Sequence, residues 1–432
     1  MAAARFARRA RRTPHRPRLN HRAAPNVAAW AGPGRTLGDD GDVMPVPERL
    51  VGLGLGRWLA GQWDDLGRPE PVGRVSRLDR GWCTVLTERE PAAAAASAAT
   101  DAADHDRGRA HDEGGNAEGE RPAPDAPTPD GGDVRRARTF GQVAVGDWVV
   151  LSDDGERVDQ VLPRASALVR RASFEGARAQ EHVVAANVDV VFLVHALSSP
   201  PNQRRLEREL VLVYESGADP VIVLTKADLS EDTAAAVAAV NEVSLGVPVH
   251  AVSAPIGLGV DGVREYASDH RSIAVIGASG AGKSTLVNAL IGHQRQQTAD
   301  VREGDQRGRH TTVATELVPM PGGGFLIDTP GLRAVSLWSA DEDTPHGLDR
   351  AFADVVTLAE GCRFRNCAHD REPGCAVRAA IADGRLAAER LVSWTRLSAE
   401  LAALEQESIE VEREAKKGRR APRRSGRSRP PS

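Results

Sequence analysis

The chain has 432 residues, of which 41% are hydrophobic and 27% are charged, and its formal net charge is −4. These totals are typical of a soluble globular protein with two or three domains and some disordered parts. No apolar run is long enough to span a bilayer, so we expect no membrane segment. The first 38 residues contain nine arginines and no acid, and residues 415–432 contain eight lysines and arginines and no acid. Such ends are solvated tails or arms that bind nucleic-acid phosphates.

The first part of the chain is predicted to form a small β-barrel. Short strand-like runs between glycine and aspartate turns are typical of such a barrel, and they occur at 72–88, 138–152 and 156–171. Residues 91–134 are rich in Ala, Asp, Gly and Pro and have almost no large apolar side chain. Because this stretch cannot bury enough surface to order itself, it is predicted to be a disordered insertion in a barrel loop.

Strands and helices alternate from Val183 onward, which predicts a doubly wound, mostly parallel sheet with ligands at the strand carboxyl ends. Strands are expected at 188–197, 220–225, 247–252, 273–276, 311–318 and 324–328. Helices are expected at 202–217, 233–243 and 256–267. After residue 345 the strands stop, and a long helix is expected over 386–411.

A phosphate-binding loop joins one predicted strand to the helix that follows it. Its glycines let successive backbone N–H groups face a β-phosphate, Lys283 reaches the β/γ oxygens and the Ser284 hydroxyl ligates Mg²⁺. The alternative, a tight glycine turn, does not require the full spacing that is present. The chain is therefore predicted to bind a nucleoside triphosphate with Mg²⁺ through Gly277, Ala278, Ser279, Gly280, Ala281, Gly282, Lys283, Ser284 and Thr285.

Guanine is the base that the segment from Thr225 to Asp228 indicates. Asp228 can accept hydrogen bonds from the N1–H and N2–H₂ edge of guanine, which adenine lacks, while the stem of Lys226 lies against the base. The alternative is a solvated lysine and a helix-capping aspartate. Ser253 and Ala254 supply a second turn after a strand, whose Ala254 N–H can meet guanine O6, although this turn alone is weak evidence.

Asp328-Thr-Pro-Gly331 ends another strand, about forty-five residues after the phosphate-loop lysine. Asp328 there can hold Mg²⁺ through water, and the Gly331 N–H can sense the γ-phosphate. Alone, this tetrapeptide is also a good β-turn. These segments resemble the motif regions of regulatory GTPases, but the base-reading segments 225–228 and 253–254 precede the phosphate loop. That order resembles a circularly permuted GTPase.

A cysteine and histidine cluster follows. Three thiolates and one imidazole are a typical ligand set of a tetrahedral, structural zinc site that has no open position. The ligands are predicted to be Cys362, Cys367, His369 and Cys375. Nearby arginines are expected either to face RNA phosphates or to form a solvated surface, and these are Arg363, Arg365 and Arg371. Cys83 is expected in the barrel core.

Barrel, permuted GTPase and zinc cluster together resemble the family of ribosome small subunit-dependent GTPase A, RsgA or YjeQ, over roughly residues 70–405. The resemblance implies an N-terminal OB-fold barrel, a central α/β circularly permuted P-loop GTPase domain and a C-terminal helical zinc-binding domain. The expected limits are a disordered basic extension 1–49, the barrel 50–171, the GTPase domain 172–338, the zinc-binding domain 339–411 and a disordered basic tail 412–432.

The same resemblance implies a cytoplasmic, monomeric GTPase of late small-subunit assembly. Such a protein binds the 30S subunit and its 16S rRNA, and it hydrolyses GTP to GDP with stimulation by the subunit. Leu332 stands where many GTPases carry a water-orienting Gln, so His310 is the expected catalytic residue. Thr311 or Thr312 is expected to supply the second Mg²⁺ hydroxyl, with Thr312 preferred.

Two other functions are consistent with these residues. One is an rRNA-binding scaffold that holds GTP with little regulated hydrolysis, which the absence of the Gln favours. The other is a permuted GTPase of large-subunit assembly.

Overall fold

The computed structural model describes residues 48–87, 133–172, 180–198, 202–292, 315–328 and 347–420. The predicted N-terminal extension up to residue 47, the predicted insertion up to residue 132 and the tail from residue 421 lie outside these ranges. Among the helices of the described part, none combines the length and the hydropathy needed to cross a membrane.

Two short helices precede a set of antiparallel strands. They are α1 (Glu48–Gly52), α2 (Arg57–Asp65), β1 (Val72–Asp79), β2 (Trp82–Thr87), β3 (Asp133–Arg138), β4 (Trp148–Leu151) and β5 (Val158–Val161). β1 pairs with β2 and β4, β2 pairs with β3, and β4 pairs with β5. A parallel bridge between Arg138 and Arg157 brings β3 to β5 and closes the circuit. Cys83 lies in the core of this barrel, as predicted, and burial raises the pKa of its thiol to about 11.

The structure refines two sequence predictions in this part. Within the strand-like segment predicted at 138–152, the regular strand is β4, and the loop before it turns at Gly141 and Gly146, both of which have positive φ. β3 begins at Asp133, so the last two residues of the predicted insertion 91–134 belong to a strand.

The central part alternates strands and helices. Its elements are β6 (Ala167–Ala172), β7 (Gln180–Ala186), β8 (Val190–Ala196), α3 (Gln203–Glu215), β9 (Asp219–Thr225), α4 (Thr233–Ser244), β10 (Val249–Ala251), α5 (Val260–Arg264), β11 (Ser272–Gly277), α6 (Lys283–Ile291), β12 (Glu316–Pro319) and β13 (Phe325–Asp328). The short helix predicted over 256–267 begins later, as α5 followed by a 3₁₀ turn, because Gly257 and Gly259 have positive φ and interrupt the chain before it.

The sheet has the strand order β10–β9–β8–β11–β13–β12 and continues into the barrel through β1. The pairs from β10 to β13 are parallel and the β12–β13 pair is antiparallel. Both faces are covered, which explains why β8 is an unbroken apolar run up to Val194. Leu206 and Leu210 of α3 pack on one face, and Leu286 of α6 packs on the other.

Helices make up the C-terminal part, and they are α7 (Gly347–Ala351), α8 (Ala353–Ala359), α9 (Ala376–Ala382) and α10 (Ala388–Arg420). α10 continues beyond the predicted end at Val411, so the first residues of the predicted disordered tail are helical. α7 and α10 pack against α3, which therefore lies between the sheet and the C-terminal helices.

Arg74 joins the barrel to the central sheet. Its buried guanidinium donates to the Leu53 and Asn187 carbonyls at 2.9 and 3.3 Å and to the Ser272 hydroxyl at 2.6 Å. Burial lowers the pKa of Arg74 to about 10, so the side chain stays charged at neutral pH. Because Ser272 begins β11, the barrel is fixed to the strand that leads into the phosphate loop.

The carboxylate of Glu215, at the end of α3, caps the start of α7. Its Oε1 accepts the Leu348 N–H at 3.4 Å, and Arg350 of α7 lies over the Tyr214 ring at 4.0 Å. Burial raises the pKa of Glu215 from 4.5 to about 7, although the hydrogen bonds from α7 oppose that shift. Ionisation of Glu215 therefore weakens the native state.

Replacing Glu215 with Gln should remove a pH-dependent part of the stability. Because the folded pKa is the higher one, this contribution is complete below pH 4.5 and is lost as pH rises through about 7. The shift corresponds to on the order of 3 kcal/mol. Urea unfolding of wild type and Glu215→Gln between pH 5 and 8 should show similar stability at pH 5 and a more stable variant at pH 8. Parallel pH profiles would contradict this.

Candidate functional site

The carboxyl ends of the parallel strands meet at one edge of the sheet. β9, β10, β11 and β13 end there, at Thr225, Ala251, Gly277 and Asp328. The predicted base-reading segment, the Ser253–Ala254 turn, the phosphate loop and Asp328 therefore lie beside one another, although more than one hundred residues separate the first from the last. His310, Thr311, Thr312 and Gly331 lie outside the described residues.

The phosphate loop needs its glycines for different reasons. A Cβ at Gly277 would lie 2.3 Å from the Val194 carbonyl oxygen of the neighbouring strand, so only glycine fits. Gly282 has φ of 83° and sets the turn into α6, whose first residue is Lys283. The Lys283 ammonium folds back and donates to the Ala278 carbonyl at 2.5 Å. The loop thus presents an ammonium and a helix N-terminus together, which favours a phosphate.

Ser284 and Thr285 lie in the first turn of α6 and are half-buried, whereas Ser279 and Gly280 are exposed at the tip of the loop. The hydroxyl of Ser284 is therefore available at the edge where Asp328 ends β13. Hydroxyl and carboxylate oxygens are the ligand types that Mg²⁺ prefers.

Thr225 connects the base-reading segment to the phosphate loop. Its buried hydroxyl donates to the Ala281 carbonyl at 2.5 Å and lies 3.3 Å from the His195 carbonyl oxygen. Lys226 has φ of 59°, and this left-handed residue turns the chain into a 3₁₀ turn that exposes Asp228. A short, buried contact thus holds the strand end that precedes Asp228 against the phosphate loop.

The Ser253–Ala254 turn follows β10 in the same edge. The Ser253 N–H and carbonyl pair with Leu258, and Ala227 of the base-reading turn donates to the Val252 carbonyl at 3.1 Å. The Ser253 hydroxyl is buried and has no hydrogen-bond partner within the described ranges. Ala254 is half-buried and begins a 3₁₀ turn that packs against α6. The two turns that are predicted to read the base are therefore attached to each other.

A buried polar group beside the pocket was not predicted from the sequence. His195 of β8 lies 2.8 Å from Glu209 of α3, measured from Nε2 to Oε2, and Arg205 donates to the other Glu209 oxygen at 2.7 Å. The sequence does contain features that indicate this pair: one histidine interrupts the apolar strand, and a glutamate occupies an inward position of the amphipathic helix.

The four predicted metal ligands converge. Their ligand atoms all lie within 4.8 Å of one another, with Cys362 Sγ to Cys375 Sγ at 3.9 Å. His369 Nδ1 lies 3.6 Å from Cys362 Sγ and 3.5 Å from Cys375 Sγ. The edges of a tetrahedral zinc site are about 3.8 Å for two sulfurs and about 3.6 Å for sulfur and nitrogen. The cluster therefore fits one zinc ion.

The chemistry of the cluster points the same way. Burial raises the pKa of the Cys367 thiol to about 12, so this thiol stays protonated unless a cation stabilises the thiolate. Glu372 folds the loop by accepting the N–H groups of Ala368, Asp370 and Arg371. Behind the ligands, the ring of His369 packs on that of Trp394 in α10, with centroids 5.5 Å apart.

Similarity to known proteins agrees with this geometry. Residues 161–338 match the family model described as RsgA GTPase. The protein named small ribosomal subunit biogenesis GTPase RsgA of Methanosarcina acetivorans is 44% identical over 264 residues, which cover 60% of this chain and 70% of that protein. A relative of the same name from Xanthomonas oryzae pv. oryzae is 45% identical over 61% of this chain and 70% of its own length.

The fold also has a solved counterpart, the crystal structure of YjeQ from Thermotoga maritima. The TM-score is 0.50 at 23% sequence identity, over 76% of this chain and 98% of that one. The strand order, the phosphate loop and the base-reading segment that precedes it in the chain define a circularly permuted GTPase. With the sequence relationships above, the chain belongs to the RsgA GTPase family.

Replacing Cys375 with Ala should abolish metal binding, because three ligands of the buried cluster then remain. Elemental analysis of purified, unchelated protein should find about one zinc per chain in wild type and nearly none in Cys375→Ala. Cys83→Ala, in the barrel core, is the matched control and should keep its zinc. A Cys375→Ala protein with undiminished zinc would contradict the assignment.

Proposed function

We propose that this chain is a GTPase that acts in the biogenesis of the small ribosomal subunit. It binds the 30S subunit and hydrolyses GTP to GDP and phosphate when the subunit is bound. The names of the relatives support a role in small-subunit biogenesis. One observation above all supports the binding of GTP: Thr225 joins the base-reading segment to the phosphate loop through the Ala281 carbonyl at 2.5 Å.

In the proposed pocket, Asp228 reads the guanine edge, the Lys226 stem lies against the base and the Ala254 N–H meets O6. Ser253 supports this turn and Thr225 supports the loop. The phosphates lie against residues 277–285, with Lys283 at the β/γ oxygens, and Gly331 senses the γ-phosphate. Mg²⁺ accompanies GTP, held by Ser284 and Thr312 directly and by Asp328 through water; Thr311 is the alternative to Thr312.

Catalysis needs a group that orients water at the γ-phosphate. The side chain of Leu332 has no polar atom to do so, and His310, in the segment between α6 and β12, is the proposed residue. This segment leads into β12, whose Glu316 pairs with Arg77 of the barrel.

The barrel is proposed to be an OB-fold that contacts 16S rRNA. The circuit β1–β2–β3–β5–β4–β1 supports this fold. On the surface of β2 and β3, the guanidinium carbons of Arg136 and Arg138 lie 5.1 and 4.9 Å from the centre of the Trp82 ring. Exposed planar cations on an indole can stack on bases and bind phosphates.

The metal loop offers a second basic surface. Arg363, Arg365 and Arg371 are all exposed on it, and Arg363 lies over the ring of Phe364 at 5.5 Å. A structural zinc ion held by Cys362, Cys367, His369 and Cys375 would fix this loop for RNA. We propose a monomer of the cytoplasm, with domain limits at 50–171, 172–338 and 339–411.

Turnover with purified ribosomal subunits tests the proposal. GTP hydrolysis by the full chain should rise about tenfold or more with small subunits and remain basal with large subunits. Unchanged turnover with co-sedimentation on small subunits would indicate an rRNA-binding scaffold, which the missing Gln favours. Stimulation by large subunits alone would indicate a GTPase of large-subunit assembly.

Asp228→Asn should change the base that is bound. The amide presents a donor where guanine also has a donor, whereas xanthine carries a carbonyl at that position. GDP affinity should fall about 100-fold or more and xanthosine diphosphate should bind, as measured by displacement of a fluorescent GDP analogue. Asp232→Asn is the matched control, because Asp232 only caps α4 through the Ala235 N–H. Unchanged GDP affinity in Asp228→Asn would contradict the base-reading role.

His310→Ala should keep GTP affinity within a few-fold of wild type and lose most of the turnover stimulated by the small subunit, because it removes a group that acts on water and not on the nucleotide. Nucleotide binding and single-turnover hydrolysis should be measured on the same preparation. The control is His182→Ala, which alters an exposed histidine of β7. Full stimulation in His310→Ala would remove this residue from the mechanism.

A further inference from the structure

Helix α3 contacts both the nucleotide pocket and the C-terminal helices, through two glutamates that point in different directions. Glu207 and Glu209 are two residues apart, which separates them by about 200° around the helix. Both are buried. A buried carboxylate must be paired, so each one fixes α3 to whatever carries its partner.

On one side, Glu209 pairs with His195 at 2.8 Å. The His195 carbonyl in turn faces the Thr225 hydroxyl, which donates to the Ala281 carbonyl of the phosphate loop. A displacement of α3 relative to β8 would therefore disturb the hydrogen bond between the Thr225 side chain and that loop. This side of α3 leads to the proposed phosphate site.

On the other side, Glu207 accepts from Arg390 of α10 at 3.0 Å, and this ion pair is almost completely buried. Arg390 also binds both carboxylate oxygens of Asp354 in α8, at 2.8 and 3.1 Å, and the Ala351 carbonyl at 2.7 Å. Its guanidinium lies over the Phe352 ring at 4.3 Å. Arg390 thus joins α3 to three C-terminal helices at a single point.

Arg390 lies one helical turn from Trp394, a residue that contacts the metal site. Trp394 follows it at position i+4 on α10, on the same face, and packs on the ring of the metal ligand His369. A metal ion that fixes His369 also restricts Trp394, and through α10 it restricts Arg390.

We propose that Glu207 and Arg390 are a positioning pair that links metal occupancy to nucleotide affinity. Zinc orders α10, the ion pair transmits that order to α3, and α3 holds the strand end that supports the phosphate loop. A ligand that has already ordered this region lowers the cost of binding the second ligand. The linkage is reciprocal: the factor by which bound zinc increases the affinity for GDP equals the factor by which bound GDP increases the affinity for zinc.

The inference rests on the proposed nucleotide pocket, and affinities of the full chain test it. A fluorescent GDP analogue should bind the zinc-loaded protein about fivefold or more tightly than protein stripped with a chelator. In the reverse direction, saturating GDP should raise zinc affinity by the same factor, measured by competition with a chromogenic chelator. Absence of any GDP binding would contradict the proposed function, whereas binding without linkage would contradict only this inference.

Substitutions test whether the linkage passes through the ion pair. Glu207→Gln should still bind GDP and zinc, but the factor by which zinc increases GDP affinity (the linkage factor) should fall to about one. The matched control is Glu400→Gln, since Glu400 pairs with Arg208 across the same two helices at 2.5 Å but is a third exposed. It should keep the full factor. Trp394→Phe tests the route from the metal end, independently of how well Glu207→Gln folds, and should reduce the factor. A factor of one in wild type, or an undiminished factor in both Glu207→Gln and Trp394→Phe, would overturn the proposal.

Discussion

Parallel strands place all their carboxyl ends at one edge of a sheet, and the candidate site of this chain depends on that constraint. The register of β8 against β11 brings Gly277 against Val194 so closely that a side chain at position 277 would collide with the backbone. The same edge holds Thr225, whose hydroxyl contacts the phosphate loop. Chain order does not affect these contacts, and a permuted sequence can therefore build the same pocket.

Buried polar contacts join the parts of the molecule that the structure describes. Arg74 connects the barrel to the first residue of β11, and Arg390 connects the C-terminal helices to α3. Each guanidinium has several acceptors and lies near an aromatic ring. Removing one acceptor leaves part of a buried guanidinium without a hydrogen-bond partner, which costs more than that hydrogen bond itself contributes. These arginines therefore act mainly to fix relative position, with burial of apolar surface supplying most of the stability.

Much of the site was predictable because its chemistry is local in the sequence. The glycine spacing, the apolar run before it and the four metal ligands each occur within a short segment, and the structure brings the metal ligands together as predicted. The irregular elements were less predictable. The break of the helix predicted over 256–267 depends on two left-handed glycines, and the short strand β4 depends on pairing with β1 and β5.

Contacts between distant segments could not be predicted. His195, Glu209 and Arg390 are single polar residues in apolar patterns, and nothing local to each one identifies its partner. Only the fold shows that side-chain contacts join a strand end to the middle of α3 and the middle of α3 to the start of α10. The strand order of the barrel likewise could not be predicted from local sequence, because its strands are short and a long segment separates β2 from β3.

The central claim is that segments on both sides of the phosphate loop form one guanine-nucleotide pocket. Calorimetric titration of the full chain with GDP and with ADP, in the presence of Mg²⁺, tests it most directly. GDP should bind at a single site, and ADP should bind at least about 100-fold more weakly. Equal affinity for the two nucleotides, or binding of neither, would contradict it.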